Sequence, residues 1–339
     1  MLVDNIVLEA RELTTIFAGH KGFFRQRRPE VRAVDNVSIA VRRGETFGIV
    51  GESGCGKTTL ARTLLGAVRE AAGEIHLESK RVDGMPPKMA RKERYAIQYL
   101  YQDAAGSLDP WWQIGHTLME PLIATGLRGE SARRLGPMLD AVELDAAVSS
   151  RYPHELSGGQ LRRVALARVL MMKPKIVILD EPTAGLDLSI QASVLRLLRD
   201  LKEKLGLTNL LVSHDLSVVR LMCDRMAVMY LGRVVEDGPT EAIFAGPRHP
   251  YTRALLDATP KLLSGPVPES AVGGDIPNLA EAPSGCAFRT RCPHAIPICE
   301  AKNPPLDSIA TGVRVACHRW RELALEPQTD KTSRAFIRA

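Results

Sequence analysis

Two stretches near the start of the chain, IVLEARELTTIF and VDNVSIAVRRGETFGIV, alternate apolar and polar residues over positions 6–50 and predict strands. A Lys/Arg-rich loop, Lys21 to Arg32, separates them. At 58–70 the spacing becomes helical. Farther on, IVILD (176–180), NLLVS (209–213) and MAVMYL (226–231) are unbroken apolar runs of the buried-strand type, with helical patterns at 160–172 and 189–205 between them. Strands alternating with helices predict a parallel α/β core. No strand pattern occurs between about 105 and 165, where helical patterns at 113–125, 130–148 and 158–172 predict a helical subdomain. After residue 237 the texture changes, because 13 of the 22 prolines lie beyond it, many in stretches such as SGPVPESAVGGDIPNLAEAPSG at 264–285. A loop-rich appendage over 238–327 and a polar, basic tail at 328–339 are expected.

Length supports that division, since 339 residues exceed the roughly 250–300 at which a single core stops growing. One large domain over 1–237 with an extension fits better than two equal domains. Hydrophobic residues at 45% and charged residues at 25% exclude wholesale disorder and fibrous classes. No uncharged apolar run approaches the roughly 18 residues that span a bilayer, and Asp4 and Glu9 interrupt the start where a signal peptide needs an apolar run. A cytosolic chain is therefore expected, with its six cysteines reduced. The net charge of +6, from 45 basic and 39 acidic residues, describes a mixed solvated surface and is compatible with an anionic partner.

Gly51-Glu52-Ser53-Gly54-Cys55-Gly56-Lys57-Thr58 fits G-x-x-x-x-G-K-[ST], directly after the apolar strand TFGIV and before a helical run. Its glycines let backbone N–H groups wrap a phosphate, the helix directs its positive end at it, Lys57 reaches the outer phosphates and Thr58 ligates Mg²⁺. Residues 51 and 53–59, Cys55 and Thr59 included, are the candidate phosphate-binding set; the Cys55 side chain itself is incidental there. Downstream, IVILD ends in Asp180 and Glu181. Asp180 at the strand tip suits the Mg²⁺ shell, and Glu181 is the candidate general base for the attacking water.

Between those motifs lies Leu156-Ser157-Gly158-Gly159-Gln160, and with it the chain resembles the nucleotide-binding subunits of ATP-binding cassette transporters. The resemblance implies a P-loop NTPase cassette with a mixed-sheet core and a helical subdomain. It also implies two ATP molecules sandwiched in a head-to-tail dimer, each between one subunit's Lys57-type residue and its partner's Ser157-type residue. Ser157, Gly158, Gly159 and Gln160 open the helix GGQLRRVALARVLMM, whose N-terminus is an anion site that nothing in the same chain is placed to fill. By the same resemblance Gln102 belongs to the loop that senses Mg²⁺ and couples to membrane subunits. Asp187, in AGLD, matches the dimer-interface loop, and His214, in VSHDL, the switch histidine. Phe17 is the best-placed aromatic for stacking on adenine, with Phe23 and Phe24 as rivals and core packing as the plainer role.

Two further segments resemble the ATPases of dipeptide and oligopeptide importers. His249-Pro250-Tyr251-Thr252 is the family's HPYT-type opening of a C-terminal extension; physically it is an amphipathic turn and helix that reads as packing. Gly285-Cys286-Ala287-Phe288, Arg291-Cys292-Pro293, Cys299 and Cys317-His318 match the end of that extension. The Gln102 loop departs from the family's pattern, with Ala104 and Asp109 in place of Pro and Asn. By spacing, the four cysteines fit a zinc site, an iron–sulfur site or free structural thiols. The resemblance implies a [4Fe–4S] cluster at Cys286, Cys292, Cys299 and Cys317. It further implies a second ATPase subunit, identical or related, two transmembrane permease subunits, an extracytoplasmic solute-binding protein, and a peripheral position on the cytoplasmic face of the inner membrane. The alternative is a soluble cassette ATPase acting on nucleic acid or ribosomes. It is opposed by the span of about 100 residues between Lys57 and Ser157, too short for a long coiled-coil insertion.

Overall fold

A computed structural model describes residues 5–18, 30–101, 103, 106–259 and 277–323. Phe23, Phe24, Gln102, Ala104 and the tail at 328–339 lie outside the described residues, as does most of the Lys21–Arg32 loop. In chain order the elements are β1 (Ile6–Phe17), β2 (Val31–Arg42), β3 (Thr46–Val50), α1 (Lys57–Leu65), β4 (Ala72–Leu77), β5 (Lys80–Arg81), α2 (Pro87–Arg94) and β6 (Ile97–Leu100). Then follow α3 (Ile114–Ala124), α4 (Arg128–Ala141), α5 (Gly158–Leu170), β7 (Ile176–Asp180), α6 (Leu188–Leu205), β8 (Asn209–Ser213), α7 (Leu216–Met222) and β9 (Arg225–Tyr230). The chain closes with β10 (Arg233–Pro239), α8 (Thr240–Ala245), α9 (Pro250–Ala258), α10 (Pro297–Ala301), β11 (Asp307–Ala310) and β12 (Val313–Val315). These elements form two compact units that interleave along the chain: residues 1–13, 38–46 and 58–213, and residues 14–37, 47–57 and 214–339.

In the first unit β6, β7 and β8 are parallel, with Ile178 opposite both Tyr99 and Leu210. Every residue of β7 and β8 is buried, which explains their unbroken apolar sequences. Between β6 and β7 the described residues form α3, α4 and α5 and no strand. Arg163 ties α5 to the end of α4 by donating to Val142 O at 3.0 Å, and Arg134 of α4 donates to Met171 O at 2.6 Å. Beside β6 opens a groove of about 1080 Å³ lined by residues that include Gln98, Tyr101, Glu120 and Arg168.

In the second unit β3 runs parallel to β9, and β10 joins β9 to β12 by antiparallel pairing. The extension thus adds two strands to the sheet edge, and Arg314 on β12 forms an ion pair with Asp237, which is 1% exposed on β10. Glu236 beside it is fully buried, its carboxylate accepting from the backbone N–H of Arg248 at 2.7 Å and of His249 at 3.0 Å. Burial pushes the Glu236 pKa up to about 7. His249 caps α9, its Nδ1 accepting from Tyr251 N at 3.0 Å, and burial holds its pKa down to about 3 against a hydrogen bond with the Ala316 backbone.

These two shifts act on stability in opposite directions. Glu236, raised above its ordinary 4.5, contributes stability that is full below that value and lost as pH rises through about 7. His249, lowered from 6.5, contributes stability that is full above 6.5 and lost as pH falls toward 3. Lowering the pH from about 6.5 to 5 should therefore destabilise Glu236→Gln more than the unmodified chain, by up to about 2 kcal/mol. Thermal melts at the two pH values check this; parallel behaviour of the two proteins would show that Glu236 titrates as an ordinary carboxyl.

Candidate nucleotide site

Strand β3 is buried at all five positions and delivers the chain into Gly51–Lys57. Gly56 has φ +107, and a Cβ there would lie 2.1 Å from Ala33 O, so the loop admits only glycine at that point. Gly54, at φ +79, turns over open space. The Cys55 side chain is buried while its carbonyl accepts from Gly232 N at 2.8 Å, and burial pushes its thiol pKa up. Lys57 is 5% exposed, and its Nζ donates to Gly51 O at 2.8 Å and Glu52 O at 2.9 Å. The loop's own carbonyls hold the ammonium group. In the same unit Phe17, at the end of β1, is 44% exposed, and His214 is exposed just before α7, which Asp215 caps by accepting from Ser217 N at 2.8 Å.

The first unit carries Thr58, Asp180 and Glu181. Thr58 Oγ1 donates to Asp180 Oδ1 at 3.2 Å, bringing the two expected Mg²⁺ ligands together across 122 residues of sequence. A hydroxyl and a carboxylate are hard oxygen donors, so the pair fits Mg²⁺. Tyr99 of β6 donates a short hydrogen bond to Asp180 Oδ2, and burial followed by the Asp180 charge raises the tyrosine pKa. Glu181, next along the chain, has φ +48, a left-handed conformation that typically costs about 1–3 kcal/mol in a non-glycine residue. Its N–H donates to Val212 O at 2.9 Å, which pins the backbone.

Ser157 caps α5 through a reciprocal pair: its Oγ accepts from Gln160 N at 3.3 Å, and Gln160 Oε1 accepts from Ser157 N at 3.0 Å. Side chains added at Gly158 and Gly159 would meet nothing within 4 Å, so this helix end lies open. Asp187 caps α6, accepting from Ser189 N and Ile190 N at 3.0 Å each, beside an 82% exposed Leu188. Arg162 on α5 donates to Pro182 O and, at 3.1 Å, to Ala184 O, so the helix that Ser157 opens also holds the turn after Glu181.

Tyr99 and Arg162 were not found by sequence reasoning, and neither was a second group around Glu52. The Glu52 N–H donates to the hydroxyl of Tyr251 at 2.9 Å. Its carboxylate accepts from Arg291 at 2.8 and 3.0 Å. The HPYT-type segment does pack, with His249, Tyr251 and Thr252 buried, and Tyr251 also reaches the phosphate loop. The motifs offered a partial signal, because Tyr251 and Arg291 both lie in segments that stood out.

The cysteine expectation finds no support in the structure. Cys286, Cys292, Cys299 and Cys317 are free thiols, and among the described residues no three His, Cys, Asp or Glu side chains are arranged to hold a metal ion. The described residues give no support to the expected [4Fe–4S] or zinc set. Burial raises the pKa of Cys286, Cys292 and Cys317, which favours protonated thiols, and the negative charges of neighbouring cysteines add to the shift. The local backbone bonds serve the fold: Cys286 N donates to Cys299 O at 2.7 Å, and Cys299 sits in α10.

Comparison with known proteins agrees with this geometry. Residues 34–184 match the ABC transporter family, and residues 235–299 match the oligopeptide/dipeptide transporter C-terminal region. A Brucella ovis protein, named for peptide import and ATP binding, is 44% identical over 303 residues, covering 87% of this chain and 94% of its own. A Brucella melitensis protein named in the same way is 43% identical over 86% of this chain and 77% of its own length. Among solved structures, cbiO1 from Clostridium perfringens, part of an ABC transporter complex, superposes with a TM-score of 0.61 at 30% identity, covering 71% of this chain and 91% of that one. A dimeric bacterial ABC transporter cassette gives 0.59 at 26% identity, covering 69% and 98%. With the phosphate loop, the Thr58–Asp180 pair and the capped α5 in place, the chain belongs to the ATP-binding cassette ATPases of ABC transporters, in the group that carries the oligopeptide/dipeptide C-terminal region.

Proposed function

We propose that this chain is the ATP-hydrolysing subunit of a peptide importer, acting with separate membrane subunits. The observation that carries the reading is the presence, in one chain, of a formed phosphate loop and a C-terminal region of the oligopeptide/dipeptide type. The 44% identity to a relative named for peptide import supports the same cargo class. The relatives do not favour a nucleic-acid role.

In this reading the N–H groups of Ser53 to Thr59 and the ammonium of Lys57 receive the phosphates of ATP, and Phe17 stacks on adenine. Mg²⁺, when bound, neutralises charge on the outer phosphates; Thr58 and Asp180 hold it, with Gln102 as a further contact. Tyr99 fixes the Asp180 carboxylate by donating to one of its oxygens. Glu181 takes the proton from the attacking water, and His214 orients Glu181 and the γ-phosphate. The open N-terminus of α5, with Ser157, Gly158, Gly159 and Gln160, serves the γ-phosphate bound by a second ATPase subunit, and Asp187 lies at that interface.

Among the described residues no helix is long and apolar enough to cross a membrane. In this reading permease subunits form the pore and this chain sits at the cytoplasmic membrane face. The groove beside β6, with Arg168 and Glu120 paired at its wall, supports docking of a helix from such a subunit. Affinity purification of the tagged chain from detergent-solubilised membranes tests the reading. Two multi-span proteins and a related or identical ATPase should copurify, with the solute-binding protein as a weaker companion. Copurification of ribosomes or DNA-processing proteins without any membrane subunit would overturn it.

A further inference from the structure

Glu52 is the second residue of the phosphate loop, a position whose side chain the phosphate chemistry does not require. Here nearly all its polar capacity is engaged. Its N–H donates to Tyr251 Oη at 2.9 Å, and its C=O accepts from Lys57 Nζ at 2.9 Å and from Cys55 N at 3.3 Å. Its two carboxylate oxygens accept one bond each from the fork of Arg291. The Arg291 side chain is 4% exposed and that of Glu52 19%, so the pair is largely withdrawn from water. Arg291 is itself seated: its guanidinium lies 5.9 Å from the Tyr230 ring centroid and 6.0 Å from that of Phe288. Tyr230 and Phe288 pack with the fully buried Tyr251 in one aromatic cluster, at centroid distances of 4.6 to 5.4 Å.

Burying an ion pair is an inefficient way to stabilise a fold, because desolvation offsets most of the attraction. A planar two-bond fork does fix direction, which a point charge does not. The object fixed here is the residue whose carbonyl holds the Lys57 ammonium. From Arg291 and Tyr251 through Glu52 to Lys57 there is an unbroken chain of hydrogen bonds, all within the second unit.

We propose that Arg291 and Tyr251 are positioning residues of the ATP site, so that the C-terminal region sets the conformation of the phosphate loop and of Lys57 and thereby the affinity for ATP. The proposal rests on the reading of Gly51–Thr58 as the ATP phosphate site and adds a requirement to it. The region beyond residue 238 is then part of the ATPase itself.

The test uses the full chain, titrated with a fluorescent ATP analogue and assayed for ATP hydrolysis. Arg291→Ala should weaken analogue binding roughly ten- to a hundredfold and raise the KM for ATP by a similar factor, with a smaller change in kcat. Arg291→Lys, which keeps the charge and loses the fork, should recover only part of the affinity. Glu52→Gln, which replaces one acceptor of the fork with an amide nitrogen, and Tyr251→Phe, which removes the hydroxyl that accepts from the Glu52 N–H, weaken links of the same chain with less disturbance of packing, and they keep the test informative if Arg291→Ala does not fold. The double variant Glu52→Gln/Arg291→Ala should bind no more weakly than the worse single variant. Arg289→Ala, at a neighbouring arginine that bonds to Ser284 within the extension, should bind normally. Folded Arg291 and Glu52 variants that bind the analogue as tightly as the unmodified chain would overturn the proposal. So would losses that follow only the fraction unfolded in thermal melts. Failure of the unmodified chain to bind the analogue would instead overturn the ATP-site reading, and this proposal with it.

Discussion

Glu181→Gln lowers ATP turnover by roughly two to four orders of magnitude and leaves ATP binding intact. The substitution replaces a carboxylate oxygen with an amide nitrogen of nearly the same size, so the side chain keeps its place and loses the capacity to take a proton from water. Three features predict that little else changes. The left-handed backbone at Glu181 is held by its N–H bond to Val212 O, which the variant retains. Asp180, the proposed Mg²⁺ ligand, has its oxygens engaged by Thr58 and Tyr99. The turn that follows is fixed by Arg162 donating to Pro182 O and Ala184 O. With binding intact and hydrolysis slow, the ATP-bound dimer accumulates. Single-turnover hydrolysis and size-exclusion chromatography with ATP measure both effects, and near-normal turnover would remove Glu181 from the role of base.

Lys57→Ala acts at the earlier step. It deletes a buried ammonium that two loop carbonyls hold, and with it the one cationic side chain of the phosphate loop. Removing a preorganised charged contact to a phosphate should weaken ATP binding by roughly a hundredfold or more. The same change leaves the carbonyls of Gly51 and Glu52 without that donor, so the empty loop is loosened as well. Isothermal titration with Mg·ATP gives the affinity directly. Unchanged affinity in a folded variant would show that Gly51–Thr58 is not the phosphate site.

What the sequence disclosed about this site follows from how locally each part is specified. The phosphate loop, the carboxylates ending β7 and the Ser157 cap of α5 are consecutive residues whose spacing alone determines their geometry. The capping roles of Asp187 and Asp215 are local in the same sense. Tyr99 was missed because β6 has only four residues and gains its meaning from a partner 81 positions away. Strand β10 was missed for the opposite reason: RVVEDGP looks like a turn, and it is a strand because Arg314 and the N–H groups of Arg248 and His249 satisfy its buried acids. For the cysteines, spacing fixes which thiols share a region but not whether they are arranged to hold a metal, and no such arrangement is found among the described residues. Glu52 illustrates the limit most plainly, since nothing near it in sequence indicates that Tyr251 and Arg291 will meet it.

The separation of Glu52 from Arg291 has a consequence during synthesis. Arg291 follows Glu52 by 239 residues, so at roughly 5–20 residues per second a ribosome needs on the order of 10–50 s between making one and making the other. Strand β9, which flanks β3, is likewise made only after most of the cassette. Throughout that interval the nascent chain carries a phosphate-loop sequence without the residues that brace it. On the proposal that these residues set the loop, a nascent chain that has not yet made Tyr251 and Arg291 is a poor competitor for cellular ATP.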